Sequence, residues 1–167
     1  MPAFDLEKSM RRAEARLEKR NGRRQRQDRG ESRLDPELLR RAEDLLGGQE
    51  RPAVRAIMRN LDEFCAARGL RSPARATIYE LMARTPAGSH PVAELPAEIR
   101  QTLHNLSEDG SVPGHQLAFY CLNYGGLEAV SFAAGLPWLA LYQAACLRGW
   151  RPRSRGLLDA IRRVRRI

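Results

Sequence analysis

The sequence predicts a mainly α-helical protein with at most one small β-hairpin. Apolar residues recur at spacings of three and four along most of the chain, which is the pattern of helices with one buried face. Prolines and glycines interrupt this pattern at intervals that suit short helices. Residues 117–124 are rich in aromatic side chains and suit either a strand or a buried helix; we favour a strand, and we expect the hairpin near residues 111–124.

Composition divides the 167 residues into three segments. Residues 1–33 are expected to form a basic, partly disordered N-terminal arm, because their sparse apolar residues support only a marginal helix. Residues 34–126 are expected to form a helical core that includes a winged-helix-like segment over 73–124. Residues 127–167 are expected to form a helix-turn-helix-like region with an arginine-rich last helix.

Start and stop signals bound the helices of the first half. Asp35-Pro36 precedes a short helix that we predict over Glu37–Leu46. A longer helix is predicted over 52–68, with Gly69 as its C-terminal stop. Ser72-Pro73 matches an N-cap followed by proline at the first helical position, which predicts the start of a third helix.

The segment 92–112 has the layout of the second half of a winged helix-turn-helix. Pro96 suits the start of a helix over 96–107, because the first turn does not need the N–H that proline lacks. The buried stripe of this helix is expected to consist of Ile99, Leu103 and Leu106. Its outward polar side chains include Arg100, Gln101 and His104. Such a helix followed by a strand is typical of folds that enter a nucleic-acid groove, and it also occurs in folds that bind only protein.

Residues 127–167 contain a further pair of helices and a basic last helix. The pair is predicted over 127–134 and up to Arg148, with Gly135-Leu136-Pro137 at the turn. The last helix, from Ser154, is expected to bury Leu157, Leu158, Ile161 and Val164. Its opposite face is expected to carry Arg155, Arg162 and Arg166. The nucleic-acid contacts predicted for this segment are Arg151, Arg153, Arg155, Arg162, Arg163, Arg165 and Arg166.

The net charge of +9 is concentrated at the two ends of the chain. Residues 1–33 contain 11 basic and 6 acidic side chains, and residues 148–167 contain 8 basic and 1 acidic. Residues 34–147 are slightly acidic, with 10 basic and 13 acidic side chains. Clustered arginines neutralise phosphates and release counterions, so this distribution indicates a nucleic-acid partner. A basic terminus that only increases solubility is the alternative.

The helix boundaries create three candidate helix-turn-helix junctions, at Gly69, Pro96 and Gly135. Around the first, RGLRSPARATIYELM (68–82) resembles the turn and recognition helix of helix-turn-helix proteins of mobile elements, and Arg75 lies in the matching string. VAELPAEIRQTLHNLSEDGSV (92–112) is similar to the winged helix of bacterial AbiEi-type antitoxins. Those antitoxins act with a nucleotidyltransferase-like toxin and repress their own operon, so the resemblance implies a DNA-binding regulator.

Motifs for catalysis, metal binding and export are missing from the sequence. It contains no G-x-S-x-G, Walker-type glycine loop or H-E-x-x-H, so we do not expect an enzyme. The three cysteines are widely spaced, and the three histidines never fall at ligand spacing, so neither a metal nor a cofactor is expected. The sequence has no run of 18 apolar residues and begins with no secretory signal, so we expect a cytoplasmic protein without a membrane partner.

Together these patterns favour a small DNA-binding regulator, either an operon repressor or an antitoxin-like partner of a toxin. Duplex DNA is the expected partner, and a toxin or a second copy of the chain is the expected protein partner. Two alternatives remain open at this point. The acidic character of residues 34–147 favours a protein-interaction module. The arginine-rich ends equally suit an RNA-binding accessory protein with no sequence-specific DNA recognition.

Overall fold

The computed structural model describes residues 34–167, and the predicted N-terminal arm, residues 1–33, lies outside the described residues. This part of the chain is 64% helical and contains one small antiparallel sheet of two strands, which confirms the predicted fold class. The elements in chain order are α1 (Pro36–Leu46), α2 (Val54–Arg68), α3 (Arg75–Arg84), β1 (Ser89–Pro91), α4 (Ala97–Arg100), β2 (Ser111–Pro113), α5 (Gly114–Tyr124), α6 (Leu127–Gly135), α7 (Trp138–Ala144) and α8 (Pro152–Val164).

The first helices begin and end largely where local sequence signals predict. The Asp35 carboxylate accepts hydrogen bonds from the backbone N–H groups of Glu37 and Leu38 and so caps α1. Gly69 ends α2 in the left-handed conformation, with φ of 65°, which glycine adopts without strain. The predicted Ser72 cap is wrong, because the N-cap of α3 is Ala74. Pro73 is instead buried, so it packs the turn rather than opening the helix.

The hairpin has a different position from the one predicted. Strand β1 pairs with β2 in the register Ser89–Pro113, His90–Val112 and Pro91–Ser111. The chain between the strands contains α4 and two 3₁₀ turns, Val92–Glu94 and Gln101–Leu103. The predicted helix over 96–107 is therefore wrong in length. Thr102 contributes to this, because its buried hydroxyl donates to the Ile99 carbonyl at 2.7 Å within the tightened turn.

Residues 117–124, predicted as strand-like, belong instead to helix α5. The buried side chains Leu117, Ala118, Cys121 and Leu122 recur with the period of a helix, and this spacing overrides the aromatic composition. Helix α5 packs against α6, α7 and α8. Residues on both sides of position 126 therefore share one hydrophobic core.

A buried glutamine connects α3 to α7. The Gln143 amide donates to the backbone carbonyls of Met82 at 2.9 Å and Thr85 at 2.7 Å. Both acceptors lie at the C-terminal end of α3, where carbonyls lack partners within the helix. Gln143 therefore satisfies the end of α3 from a position about 60 residues further along the chain.

The end of α7 and the start of α8 differ from their predicted positions. Helix α7 ends at Ala144, four residues earlier than predicted, and α8 begins at Pro152. Leu158 is buried, and Leu157 and Ile161 pack against the core. The predicted burial of Val164 is wrong, since its side chain is 82% exposed near the end of α8.

Candidate nucleic-acid interface

The three predicted helix-turn-helix junctions differ in whether their second helix is accessible. After Gly135, α7 has seven residues, and six of them are buried, so its surface cannot reach a groove. After Pro96, α4 is a single turn of four residues. After Gly69, α3 has ten residues, a length of about 15 Å. Of the three junctions, the one at Gly69 therefore presents a helix suited to a major groove.

One face of α3 is buried, and the opposite face is open to solvent. Ile78, Leu81 and Met82 are buried, and the helix packs against α1, α2 and α7. The exposed positions follow the helical period and are Arg75, Ala76, Tyr79, Glu80, Ala83 and Arg84. The backbone of α3 is thus held by the core on one side while a narrow polar face remains free on the other.

Arginines surround this exposed face and are not paired with carboxylates. The Nη2 group of Arg75 donates to the Tyr79 hydroxyl at 3.1 Å, and the guanidinium carbon lies 5.7 Å from the centre of the tyrosine ring. Arg71 precedes the helix and Arg84 ends it, and both are exposed. Within residues 34–167, neither of these two side chains has a hydrogen bond or ion pair. The charges of Arg71 and Arg84 are therefore available to an external anion.

Three of the seven arginines predicted at the C-terminus instead bind carbonyls at the ends of other helices. Arg165 donates to Ala134 and Leu136 at the end of α6, at 2.8 and 2.6 Å, and to Gln49 at 3.1 Å. Arg155 donates to Ala145, just after α7, at 2.6 Å. Arg151 donates from its side chain to Asn123 near the end of α5, at 3.2 Å. These guanidiniums satisfy carbonyls that helix geometry leaves unpaired.

A fourth arginine of this group takes part in an ion-pair chain on α8. The Asp159 carboxylate lies 3.6 Å from Arg155 and 3.8 Å from Arg162, so the two arginines do share a face, as predicted. Arg166 was predicted on the same face but lies beyond the last helical residue, with φ of 54°. Arg153 and Arg163 are exposed, and in the described part of the chain their side chains bind no other group.

The polar residues predicted along 96–107 do not form a groove-facing row. Arg100 lies 3.7 Å from the Glu108 carboxylate, and Gln101 is exposed in the 3₁₀ turn. The His104 ring meets the edge of the Tyr124 ring, with 6.3 Å between centroids. The surrounding exposed acidic residues are Glu94, Glu98, Glu108 and Asp109. This part of the surface is therefore acidic overall and unfavourable for a phosphate backbone.

Aromatic residues cluster where α5 ends. Phe119 contacts the rings of Tyr120, Tyr124 and Trp150. The Arg151 guanidinium carbon lies 4.7 Å from the centre of the Tyr124 ring, and Asn123 fixes the loop by accepting from the Arg151 backbone N–H. The Trp150 indole donates to the Ala144 carbonyl at 3.0 Å, while Trp138 is fully buried. Trp138 therefore lies inside the hydrophobic core, and Trp150 packs against it.

Two titratable groups within residues 34–167 have pKa values that burial shifts. Burial raises the pKa of the Cys121 thiol to about 11, and burial lowers the pKa of His115. Across residues 34–167, no three His, Cys, Asp or Glu side chains are grouped to hold a metal ion. No helix in this range is long and apolar enough to cross a membrane. No protein-family model, curated protein or solved structure matches this chain.

Sequence analysis missed several residues that define the exposed α3 surface. It singled out Arg75 but not Arg71, Tyr79 or Arg84. The spacing of Arg75 and Tyr79, four residues apart, is the signal that could have identified their contact, since such pairs are neighbours on a helix. The exposure of Arg84 depends on how α3 packs, so no local pattern identifies it.

Proposed function

We propose that this protein is a small DNA-binding regulator in which α2 and α3 act as a helix-turn-helix. Helix α3 would lie in the major groove of duplex DNA. The observation that carries the proposal is the open face of α3, which is bordered by Arg71, Arg75 and Arg84 and opposed by the single carboxylate of Glu80. A recognition helix needs this combination of a rigid buried side and a basic accessible side.

The resemblance of residues 68–82 to helix-turn-helix proteins of mobile elements supports the same element. A role as operon repressor or as antitoxin-like partner of a toxin is part of this proposal. The proposal places the main DNA contacts at α3, whereas the sequence predicted them in the C-terminal segment. Because Arg151, Arg155 and Arg165 hold the fold together, we assign α8 a secondary role through Arg153 and Arg163.

A salt titration with two matched double variants tests this assignment. Arg71→Ala/Arg84→Ala removes two exposed charges at the ends of α3, and Arg153→Ala/Arg163→Ala removes two exposed charges at α8. Each lost phosphate contact reduces the slope of log affinity against log salt by about 0.9, so the α3 variant should lose up to about 1.8. The slope should decrease less in the α8 variant. A larger decrease in the α8 variant than in the α3 variant would show that α8 makes the main DNA contact.

A protein-interaction module is the second candidate function. The exposed acidic residues between β1 and β2 favour it, because this surface repels nucleic acid while attracting a basic partner. The same titration separates the two functions. If the intact protein binds no duplex even at low salt, the DNA-binding proposal is wrong and the interaction module takes its place.

A further inference from the structure

We infer that Arg75, positioned by Tyr79, binds the major-groove edge of a guanine and makes DNA recognition by α3 sequence-specific. The inference rests on the proposed function and adds to it the base that is recognised. It begins from the position of Arg75 as the first residue of α3. Residues at the N-terminal end of a recognition helix are those that contact base edges in helix-turn-helix proteins.

The surface beside Arg75 permits a close approach of bases. The adjacent exposed residue Ala76, and Ala83 further along the same exposed face of α3, have minimal side chains. Arg75 has no ion pair within the described residues, so it does not have to leave a carboxylate in order to bind DNA. Arg71 and Arg84, at either end of the helix, are placed for the phosphate backbone instead. Arg75 is thus the arginine in the N-terminal turn of α3, where recognition helices contact base edges.

Tyr79 orders the guanidinium before DNA binds. Its hydroxyl accepts a hydrogen bond from one of the five N–H groups of Arg75, and the centre of its ring lies 5.7 Å from the guanidinium carbon. Four N–H donors remain, which is enough for a two-bond contact. An arginine side chain loses rotamer freedom when it binds, and a preformed contact reduces that loss. Tyr79 is therefore a positioning residue for Arg75.

Guanine is the base that matches this donor geometry. It presents two acceptors, O6 and N7, side by side in the major groove, and a guanidinium donates to both at once. Adenine places an amino donor beside its N7, and thymine offers one acceptor and a methyl group. The side-by-side donors of the planar guanidinium, ordered by its hydrogen bond to Tyr79, therefore favour guanine over the other bases.

The test begins with selection of duplexes by the intact protein from a pool randomised over about two helical turns, roughly 20 base pairs. Each recurrent guanine is then replaced by 7-deazaguanine, which lacks N7. We expect one replacement to reduce affinity by about tenfold or more for the intact protein. The same replacement should have no effect on Arg75→Ala. It should keep its full effect on Arg84→Ala, which removes an equal charge from the same helix.

Two conservative variants separate positioning from charge. Arg75→Lys keeps the charge but lacks the planar pair of donors, so it should keep the salt dependence of binding and lose guanine discrimination. Tyr79→Phe keeps the ring but lacks the hydroxyl, so it should reduce the effect of 7-deazaguanine without changing affinity for unselected duplexes. Thermal melting of each variant checks that the fold is retained.

These experiments separate failure of the guanine contact from failure of DNA binding as a whole. If selection yields no recurrent guanine, or if Arg75→Ala weakens selected and unselected duplexes by the same factor, Arg75 is a phosphate contact and the inference is wrong. The proposed function would then still stand on the salt titration at α3. If the intact protein binds no duplex at low salt, both are wrong.

Discussion

Helix α8 and its flanking loop contain more arginines than α3 and its preceding turn, but a smaller share of them is free. At α8, the side chains of Arg151, Arg155 and Arg165 bind backbone carbonyls at the ends of three other helices. At α3, the side chains of Arg71 and Arg84 have no hydrogen bond or ion pair with other groups in residues 34–167. The number of positive charges on a segment therefore does not measure the charge available to a partner.

The difference has a physical origin in helix ends. Helices α5, α6 and α7 each leave terminal carbonyls without a partner inside the helix. Helix α8 packs against α5 and α7 as the last element, and Arg151, Arg155 and Arg165 donate to carbonyls at these helix ends. At the end of α3, Gln143 donates instead to the carbonyls of Met82 and Thr85. No arginine of α3 donates to these two carbonyls.

The largest effect is expected where α3 is anchored to the core. Gln143→Leu removes both hydrogen bonds to Met82 and Thr85 and leaves two buried carbonyls unpaired. We expect the free energy of unfolding to fall by about 2–4 kcal/mol. Chemical denaturation measures this change, with Gln116→Leu on the exposed side of α5 as a matched control that should shift it by less than about 0.5 kcal/mol. Equal effects from both variants would contradict an anchoring role.

Replacement of Arg165, which donates to three carbonyls, should have a somewhat smaller effect on the free energy of unfolding. Arg165→Ala should reduce the free energy of unfolding by about 1.5–3 kcal/mol, because bonds to a charged donor are lost and their acceptors stay partly buried. Arg163→Ala, two residues away and exposed, should change it by less than about 0.5 kcal/mol. Thermal unfolding compares the two variants. Equal stability of the two variants would show that Arg165 does not support the fold, and it would contradict the contrast drawn between α8 and α3.

The outer face of α8 should tolerate a stabilising substitution. Gly156 lies within the helix, and a Cβ built there meets no atom within 4 Å. Gly156→Ala should therefore raise the free energy of unfolding by about 0.5–1 kcal/mol through helix propensity. By contrast, a Cβ at Gly125 would lie 2.5 Å from the Cys121 carbonyl, so Gly125→Ala should destabilise the protein. A loss of stability in Gly156→Ala would indicate that this face of α8 is covered.

The smallest effect is expected at the ion pairs of α8. Asp159→Asn removes the contacts with Arg155 and Arg162, all of them partly exposed, and should cost less than about 1 kcal/mol. The cost should decrease further at high salt. Arg155 keeps its bond to Ala145, so affinity for duplex DNA should change little. A large gain in affinity would show that the released arginines bind phosphate and that α8 is a main contact surface.

The structural features that the sequence predicted most accurately are those that depend on neighbouring residues. Asp35 caps α1 through N–H groups two and three residues away, and Gly69 ends α2 by its own backbone conformation. Both signals operate within one helical turn, so the sequence displays them directly. The fold class follows from the same kind of signal, because helical spacing of apolar residues repeats along the chain.

Local composition was insufficient where burial or pairing decided the structure. Residues 117–124 have strand-like composition but become α5, because α6, α7 and α8 enclose its apolar side chains. Strand β1 forms through pairing with residues about 20 positions later, which no hairpin turn signal marked. These outcomes depend on contacts between distant segments, which favour one local structure over another of similar intrinsic preference.

The helical fold class, the basic ends and the predominance of arginine over lysine follow from the amino-acid sequence alone. Which arginines support the fold and which remain available depends on how the helices pack. Arg165 binds a carbonyl 116 residues away, and Arg151 binds one 28 residues away. A guanidinium is occupied or free according to the helix ends that the fold brings beside it, and that proximity is a property of packing rather than of local sequence.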